Sequence, residues 1–187
     1  MVIIGGWAAW LVAAGLLIQA GRELVHAKAW RKPWVVIYVS LFTIALLHLG
    51  LYFYGSAAEH VAVALVTICF ASVLSDVFAF FGGSYFGKHP LPDFINARKS
   101  YEGIVGQLIG AIVGVAAVSL LPGISFAWRL GFIIGVASAI GDLINSIAKR
   151  QLGIKDWGNA IPGHGGVLDR FSSLSFALAA GYWYFII

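Results

Sequence analysis

Charged residues are scarce in this chain of 187 amino acids, where Lys, Arg, Asp and Glu together make up 11%. Soluble globular domains carry about 25% charged and about 45–50% apolar residues. This chain is 60% hydrophobic and has a mean hydropathy of +0.90. The composition excludes a soluble enzyme, a disordered chain and a collagen-like fibre, and the single cysteine, Cys69, excludes a disulfide scaffold. An integral membrane protein remains.

Long apolar runs, by contrast, are abundant. A helix needs about 20 apolar residues to cross about 30 Å of hydrocarbon. Six runs approach or exceed that length: 1–20, 34–54, 59–81, 103–121, 128–148 and 171–187. The first run lacks a basic leader and a clean cleavage site, so we expect a retained helix rather than a removed signal peptide. The sequence therefore predicts a single-domain, all-α, polytopic membrane protein with about six transmembrane helices.

Positive charge is concentrated in three segments between these runs, 21–33, 82–102 and 149–170, which hold eleven of the twelve Lys and Arg residues, with Arg129 as the exception. Cytoplasmic loops of membrane proteins are enriched in Lys and Arg. We therefore expect these segments on the cytoplasmic side of the cell membrane and both termini outside. The net charge of +4 then reflects orientation in the membrane, and we expect no nucleic-acid partner.

Three aspartates lie within or beside the apolar runs: Asp76, Asp142 and Asp169. A charge at mid-membrane costs about 3 kcal/mol or more, so such residues usually face a polar cavity or a charged partner. One interpretation is a functional site. The alternative is structural, with each aspartate pairing with a neighbouring Lys or Arg to hold helices together.

Polar residues cluster between 142 and 170. The cluster combines carboxylates, cations, a histidine and a glycine-rich turn: Asp142, Ser146, Lys149, Arg150, Lys155, Asp156, the PGHGG turn of 162–166, Asp169 and Arg170. Carboxylates that hold a hard divalent cation, beside cations that bind phosphates, have this composition. Consecutive glycines allow backbone amides to converge on an anion, although a tight turn between helices would use them too.

The stretch 146–170 resembles the signature of the CDP-diacylglycerol synthases (phosphatidate cytidylyltransferases). That signature runs Ser-x-x-Lys-Arg, four residues, Lys-Asp, a short spacer, Pro-Gly-His-Gly-Gly, two residues and Asp-Arg-x-Asp. The spacing agrees throughout, but Ser172 stands where the signature closes on Asp. Residues 76–91 and 97–103 resemble two further elements of the family, although Val77-Phe78 replaces a Thr-Gly pair.

The resemblance implies that CMP passes from CTP to the lipid phosphate of phosphatidate, giving CDP-diacylglycerol and pyrophosphate. It implies Mg²⁺ on Asp142 and Asp169, with one or two metal ions, and a homodimer in the bilayer. It assigns catalysis to Asp142, Asp169, Lys149 and His164. Substrate binding falls to Ser146, Arg150, Lys155, Asp156, Gly163, Gly165, Gly166, Arg170, Asp76, Lys99 and Glu102. Residues 59–187 would form the catalytic core of one membrane domain, and 1–54 two motif-free helices.

Other interpretations stay open. A polyprenol or phytol kinase would use CTP to phosphorylate a lipid alcohol, and a CDP-archaeol synthase-like enzyme would act on an isoprenoid ether lipid phosphate. A small ion- or proton-coupled transporter is the alternative from another class, with Asp76 and Asp142 as its relay. That alternative predicts polar residues through several spans, whereas His48 is nearly alone in the outer half of the bundle.

Two local features also have alternatives. Gly106, Gly110 and Gly114 recur at four-residue spacing, which predicts close helix packing either within the chain or in a dimer. Glu102 lies four residues after Arg98, so an ion pair on one helix face is the alternative to a role in the site. His164 has the alternative of ordering its own turn.

Overall fold

The computed structural model describes residues 2–27, 32–51, 58–96, 98–160 and 165–186. Within these ranges the chain forms seven helices and no β-strand. They are α1 Val2–His26, α2 Pro33–Leu51, α3 Ala58–Phe86, α4 Tyr101–Val118, α5 Trp128–Leu152, α6 Val167–Arg170 and α7 Ser172–Ile186. The all-α prediction is confirmed.

Among the residues that the structure describes, four helical stretches are long and apolar enough to cross a membrane: Trp7–His26, Val61–Phe86, Tyr101–Val118 and Trp128–Leu152. Helix α2 is apolar along its 19 residues, and α7 has 15 residues. Each of the six predicted runs therefore contains a helix. The chain is a polytopic membrane protein.

The glycine stripe of α4 lies against α3. A Cβ added to Gly106, Gly110 or Gly114 would collide with the α3 residues Phe78, Leu74 or Ala71, respectively. Small residues of this kind let helix backbones approach closely in membrane bundles. The stripe therefore serves close helix packing within the chain, which is one of the two uses predicted for it.

Buried apolar side chains form two clusters. One joins α3, α4, α5 and α7 through residues such as Ile68, Ala111 and Ile134. The other joins α1 and α2 to the segment that follows α5, through Leu24, Tyr38, Phe42, Trp157 and Leu168. The two helices without recognisable motifs therefore pack directly against the segment that contains the signature.

Two helix boundaries differ from the predicted runs in ways that shape the site. Helix α5 continues past 148 to Leu152, and Gly153 ends it in a left-handed conformation with φ of 69°. Asp169, which precedes the last apolar run, lies in the separate short helix α6, and the chain becomes helical again at Ser172. Lys149 and Arg150 therefore lie on α5 together with Asp142, as the i, i+4, i+8 spacing of Asp142, Ser146 and Arg150 predicts.

Candidate active site

The three basic segments meet at one end of the helix bundle. Glu23, near the end of α1, accepts hydrogen bonds from the backbone amides of Val167 and Leu168 at the start of α6. The α3–α4 loop is tied to α5, because Arg150 Nη2 donates to Asn96 Oδ1 over 3.1 Å. Segments far apart in the sequence thus form one polar region.

A cavity of about 580 Å³ lies in this region, and α3, α4, α5, α6, α7 and the α3–α4 loop contribute to its walls. Five residues predicted for the site line it: Asp76, Lys99, Asp142, Asp169 and Arg170. Arg98 adds a further cation, while Ala79, Phe80, Ile104 and Leu143 give the cavity an apolar part. Carboxylates, cations and apolar surface therefore share one space.

Asp142 is paired with a lysine from the α3–α4 loop. Lys99 Nζ lies 2.6 Å from Asp142 Oδ2, and Gln107 Nε2 donates to the same oxygen over 3.5 Å. The Lys99 and Asp142 side chains are each 30% exposed, which leaves both accessible from the cavity. The pair joins the loop to α5.

Asp169 is more deeply enclosed, with a side chain that is 7% exposed. Its Oδ1 lies 2.6 Å from Lys149 Nζ. Its Oδ2 accepts from the backbone amides of Trp157, over 2.8 Å, and Gly166, over 3.0 Å. One carboxylate therefore pairs with α5 and also closes the segment between α5 and α6.

Asp76 lies on α3 and accepts a hydrogen bond from Ser173 Oγ on α7, over 2.8 Å. Ser173 also lines the cavity. Next to it, Ser172 is 1% exposed, so the position where the resemblance expects an aspartate is buried.

The other predicted residues that the structure describes are not among those that line the cavity. Ser146 is buried, Lys155 and Asp156 are exposed, and Gly165 and Gly166 form the turn before α6. Lys149 contacts Asp169, and Arg150 contacts Asn96, as described above. Glu102 pairs with His89, with 2.6 Å between Oε1 and Nδ1, rather than with Arg98. Gly163 and His164 lie outside the described residues.

Several residues that no motif singled out hold the segment between α5 and α6. Trp157 is buried, and its indole nitrogen donates to Asn145 Oδ1 over 2.6 Å. The indole stacks on Tyr38, with ring centroids 6.0 Å apart. The Tyr38 hydroxyl in turn donates to the carbonyl oxygen of Leu168 over 3.0 Å. A polar residue within an apolar run, such as Asn145, was the available sequence signal.

The donor set fits Mg²⁺, which prefers oxygen ligands and commonly uses one or two carboxylates together with substrate phosphates and water. Asp142 and Asp169 supply carboxylates to one cavity. Within the described ranges, no three His, Cys, Asp or Glu side chains are grouped so that they could hold a metal ion. The residues present therefore suit an ion held jointly by the protein and its substrate.

Comparison with known sequences decides the family. The sequence model of the Cytidylyltransferase family matches residues 1–187. The chain belongs to the cytidylyltransferase family. The resemblance in its motifs is thereby confirmed at the level of the family.

Curated relatives of this cytidylyltransferase-family chain carry phosphatidate cytidylyltransferase names. The chain is 38% identical over 137 residues to phosphatidate cytidylyltransferase 4, chloroplastic, of Arabidopsis thaliana, covering 68% of this chain and 34% of the relative. It is 38% identical over 128 residues to the phosphatidate cytidylyltransferase of Helicobacter pylori, covering 66% of this chain and 47% of the relative. It is 40% identical over 108 residues to the phosphatidate cytidylyltransferase of Mycobacterium tuberculosis, covering 56% of this chain and 33% of the relative. The chain spans a third to about half the length of these relatives.

Proposed function

We propose that this chain transfers CMP from CTP to the phosphate of phosphatidate, forming CDP-diacylglycerol and pyrophosphate. The observation that carries the proposal is the single cavity where Asp76, Asp142 and Asp169 meet the cations of the α3–α4 loop and α6. Family membership and the names of the relatives support the same reaction. The membrane-spanning bundle suits a substrate whose acyl chains stay in the bilayer.

The reaction is a displacement at phosphorus. An oxygen of the lipid phosphate attacks the α-phosphorus of CTP and forms a new P–O bond. The bond from the α-phosphorus to the oxygen bridging to the β-phosphorus breaks, and its electron pair leaves with pyrophosphate. Charge on several phosphate oxygens must be neutralised together, so positioning and electrostatics carry most of the catalysis. No covalent protein nucleophile is required.

The cations of the site are assigned to the phosphates. Arg98 and Arg170 line the cavity, and a guanidinium can bind two phosphate oxygens at once. Lys99 acts as a point charge beside Asp142, and Lys149 holds Asp169 from α5. We assign Lys155 and His164 to the triphosphate or the departing pyrophosphate, and we assign Asp156 and the glycines at 163, 165 and 166 to substrate binding.

We propose Mg²⁺ as the cofactor, bound by Asp142 and Asp169. When bound, the ion would neutralise charge on the phosphate oxygens and make the α-phosphorus a better electrophile. The protein's part is to hold these two carboxylates toward one cavity, which the pairs with Lys99 and Lys149 accomplish from two different elements.

We further propose that the cavity faces the cytoplasm, with both termini outside. The three segments that hold eleven of the twelve Lys and Arg residues contribute to the end of the bundle where the cavity lies. A membrane-impermeant maleimide should label a Lys155→Cys variant, in a Cys69→Ser background, only after the membrane is opened. Labelling in intact cells would overturn the orientation.

Product analysis tests the reaction. Purified protein with Mg²⁺, CTP and a panel of lipid phosphates and lipid alcohols should release pyrophosphate and form a CDP-lipid with phosphatidate. CDP and a lipid monophosphate would instead indicate a kinase. If a CDP-lipid forms only from an isoprenoid ether lipid phosphate, that lipid rather than phosphatidate is the acceptor. The same protein analysed for mass in detergent tests the implied homodimer.

The aspartates provide the matched variants. Asp142→Asn and Asp169→Asn should each lower the rate by about 10²–10³-fold, as expected for the loss of one preorganised charge contact. Asp93→Asn changes an exposed carboxylate in the α3–α4 loop and should leave the rate unchanged. Near-normal activity of either cavity variant would overturn its metal role.

A further inference from the structure

Glu23 is a buried carboxylate on α1, outside every motif that suggested the function, and it is 3% exposed. Its Oε1 accepts from the amide of Val167 over 2.6 Å, and its Oε2 accepts from the amide of Leu168 over 3.0 Å. A carboxylate is an acceptor on both oxygens. The side chain therefore matches two adjacent amides that lie at the start of α6.

Two glycines enclose this carboxylate. A Cβ added to Gly166 would lie 2.5 Å from Glu23 Oε2, and one added to Gly158 would lie 3.2 Å from Glu23 Cγ. Gly166 has φ of −87°, which any residue can adopt. Glycine at 166 is therefore required by the space that Glu23 occupies rather than by its backbone conformation.

The enclosed segment leads directly to Asp169. Gly166 donates its amide to Asp169 Oδ2, and Val167 and Leu168 are the two residues between them. Glu23 thus accepts from the amides of Val167 and Leu168, while Asp169 accepts from the amide of Gly166. The orientation of Asp169 toward Lys149 and the cavity depends on how firmly residues 166–168 are held.

We propose that Glu23 is a positioning residue that holds residues 166–168 and thereby orients Asp169 in the cavity. It acts through the backbone and contacts no substrate. Its effect on turnover rests on the cytidylyl transfer proposed above, whereas its effect on the turn does not. Helix α1, which carries no family motif, thereby contributes to the site.

A double-mutant cycle measures the contact without any assay of activity. Gly166→Ala should lower the unfolding temperature in the normal background, because its methyl group meets the Glu23 carboxylate. In a Glu23→Ala background the methyl group has room, so Gly166→Ala should lower the unfolding temperature much less. Strictly additive losses would overturn the proposed contact.

Glu23→Gln keeps the shape of the side chain but turns one acceptor into a donor that faces an amide. Hydrogen exchange in the peptide covering 165–170 should accelerate by about tenfold, the equivalent of one lost hydrogen bond. Asp93→Asn, at an exposed site, should leave that exchange unchanged. Unchanged exchange in Glu23→Gln would overturn the anchoring role.

The link to Asp169 is tested by Mg²⁺ titration. Glu23→Gln should raise the Mg²⁺ concentration needed for half-maximal thermal stabilisation, and for half-maximal rate, by about 10–100-fold. At saturating Mg²⁺ the KM for CTP should stay near its normal value. A purely structural defect would lower stability without moving the Mg²⁺ dependence. If the normal protein makes no CDP-lipid, the proposed function fails, while exchange and the mutant cycle still decide the role of Glu23.

Discussion

Lys149 and Asp169 form a largely buried ion pair, with 2.6 Å between Nζ and Oδ1 and side chains that are 17% and 7% exposed. Lys99 and Asp142 are also 2.6 Å apart, but each of their side chains is 30% exposed. Breaking a buried pair strands a charge and costs about 3–5 kcal/mol, whereas exposed pairs contribute about 0–1 kcal/mol. The two pairs therefore differ in what they do for the fold.

Alanine variants of the two aspartates should separate these contributions. Asp169→Ala should lower the free energy of unfolding by about 3–5 kcal/mol, because Lys149 and two backbone amides lose their acceptor. Asp142→Ala should lower it by less, about 1–2 kcal/mol, because the Lys99–Asp142 pair is only partly buried. Equilibrium unfolding in mixed micelles measures both values. Equal losses of stability would contradict the expected difference between the two ion pairs.

Trp157 and Asn145 predict a coupled pair of substitutions. Both residues are buried, and the indole nitrogen donates to the amide oxygen over 2.6 Å. Asn145→Leu should cost about 1–3 kcal/mol, because a buried N–H loses its acceptor. Adding Trp157→Phe removes that N–H, so the double variant should lose less than the sum of the single losses. Additive losses of unfolding free energy, measured by the same assay, would show that the hydrogen bond does not contribute to stability.

The apolar runs predicted the helices, because a chain in hydrocarbon must satisfy its backbone groups internally. The helix ends were harder to predict. Helix α5 passes its apolar run because Lys149 and Arg150 are favourable near a helix C-terminus, and Gly153 provides the left-handed residue that ends it. Hydropathy reports where hydrocarbon contact ends, and helix caps report where the helix ends.

The candidate site was predictable where it depends on side chains with distinctive chemistry. Asp76, Asp142, Asp169 and Arg170 were singled out from residue type and position, and Lys99 from the family resemblance. All five line one cavity, although their chemical roles stay predictions. Glu23 and Tyr38 were missed for a physical reason. Their partners are backbone groups of residues 167 and 168, more than 120 positions away, and a backbone amide or carbonyl leaves no mark in the sequence.

The glycine stripe predicts a strongly position-dependent response to added methyl groups. Gly110→Ala should cost about 1–3 kcal/mol of stability, because its Cβ would collide with Leu74 and Phe78. Gly15→Ala is the matched control on α1, where an added Cβ meets nothing within 4 Å. It should be neutral or stabilise by up to about 1 kcal/mol, as alanine favours helix over glycine. A similar response at both positions would argue against the α3–α4 contact.

Arg150 distinguishes loop anchoring from phosphate binding. Its motif position implies a contact with substrate, but its guanidinium donates to Asn96 in the α3–α4 loop over 3.1 Å. We expect Arg150→Ala and Asn96→Ala to behave alike, since each removes the same exposed bond. Each should change the KM for CTP by less than about threefold, the effect of a contact worth under about 1 kcal/mol.

The double variant provides the decisive comparison for Arg150. If Arg150 acts through Asn96, combining the two substitutions should cost no more than either alone, because the shared bond can be lost only once. A rise of tenfold or more in the KM for CTP in Arg150→Ala, with Asn96→Ala unchanged, would contradict this. That result would indicate that Arg150 binds a substrate phosphate, as its motif implies, and that it contacts Asn96 only when substrate is absent.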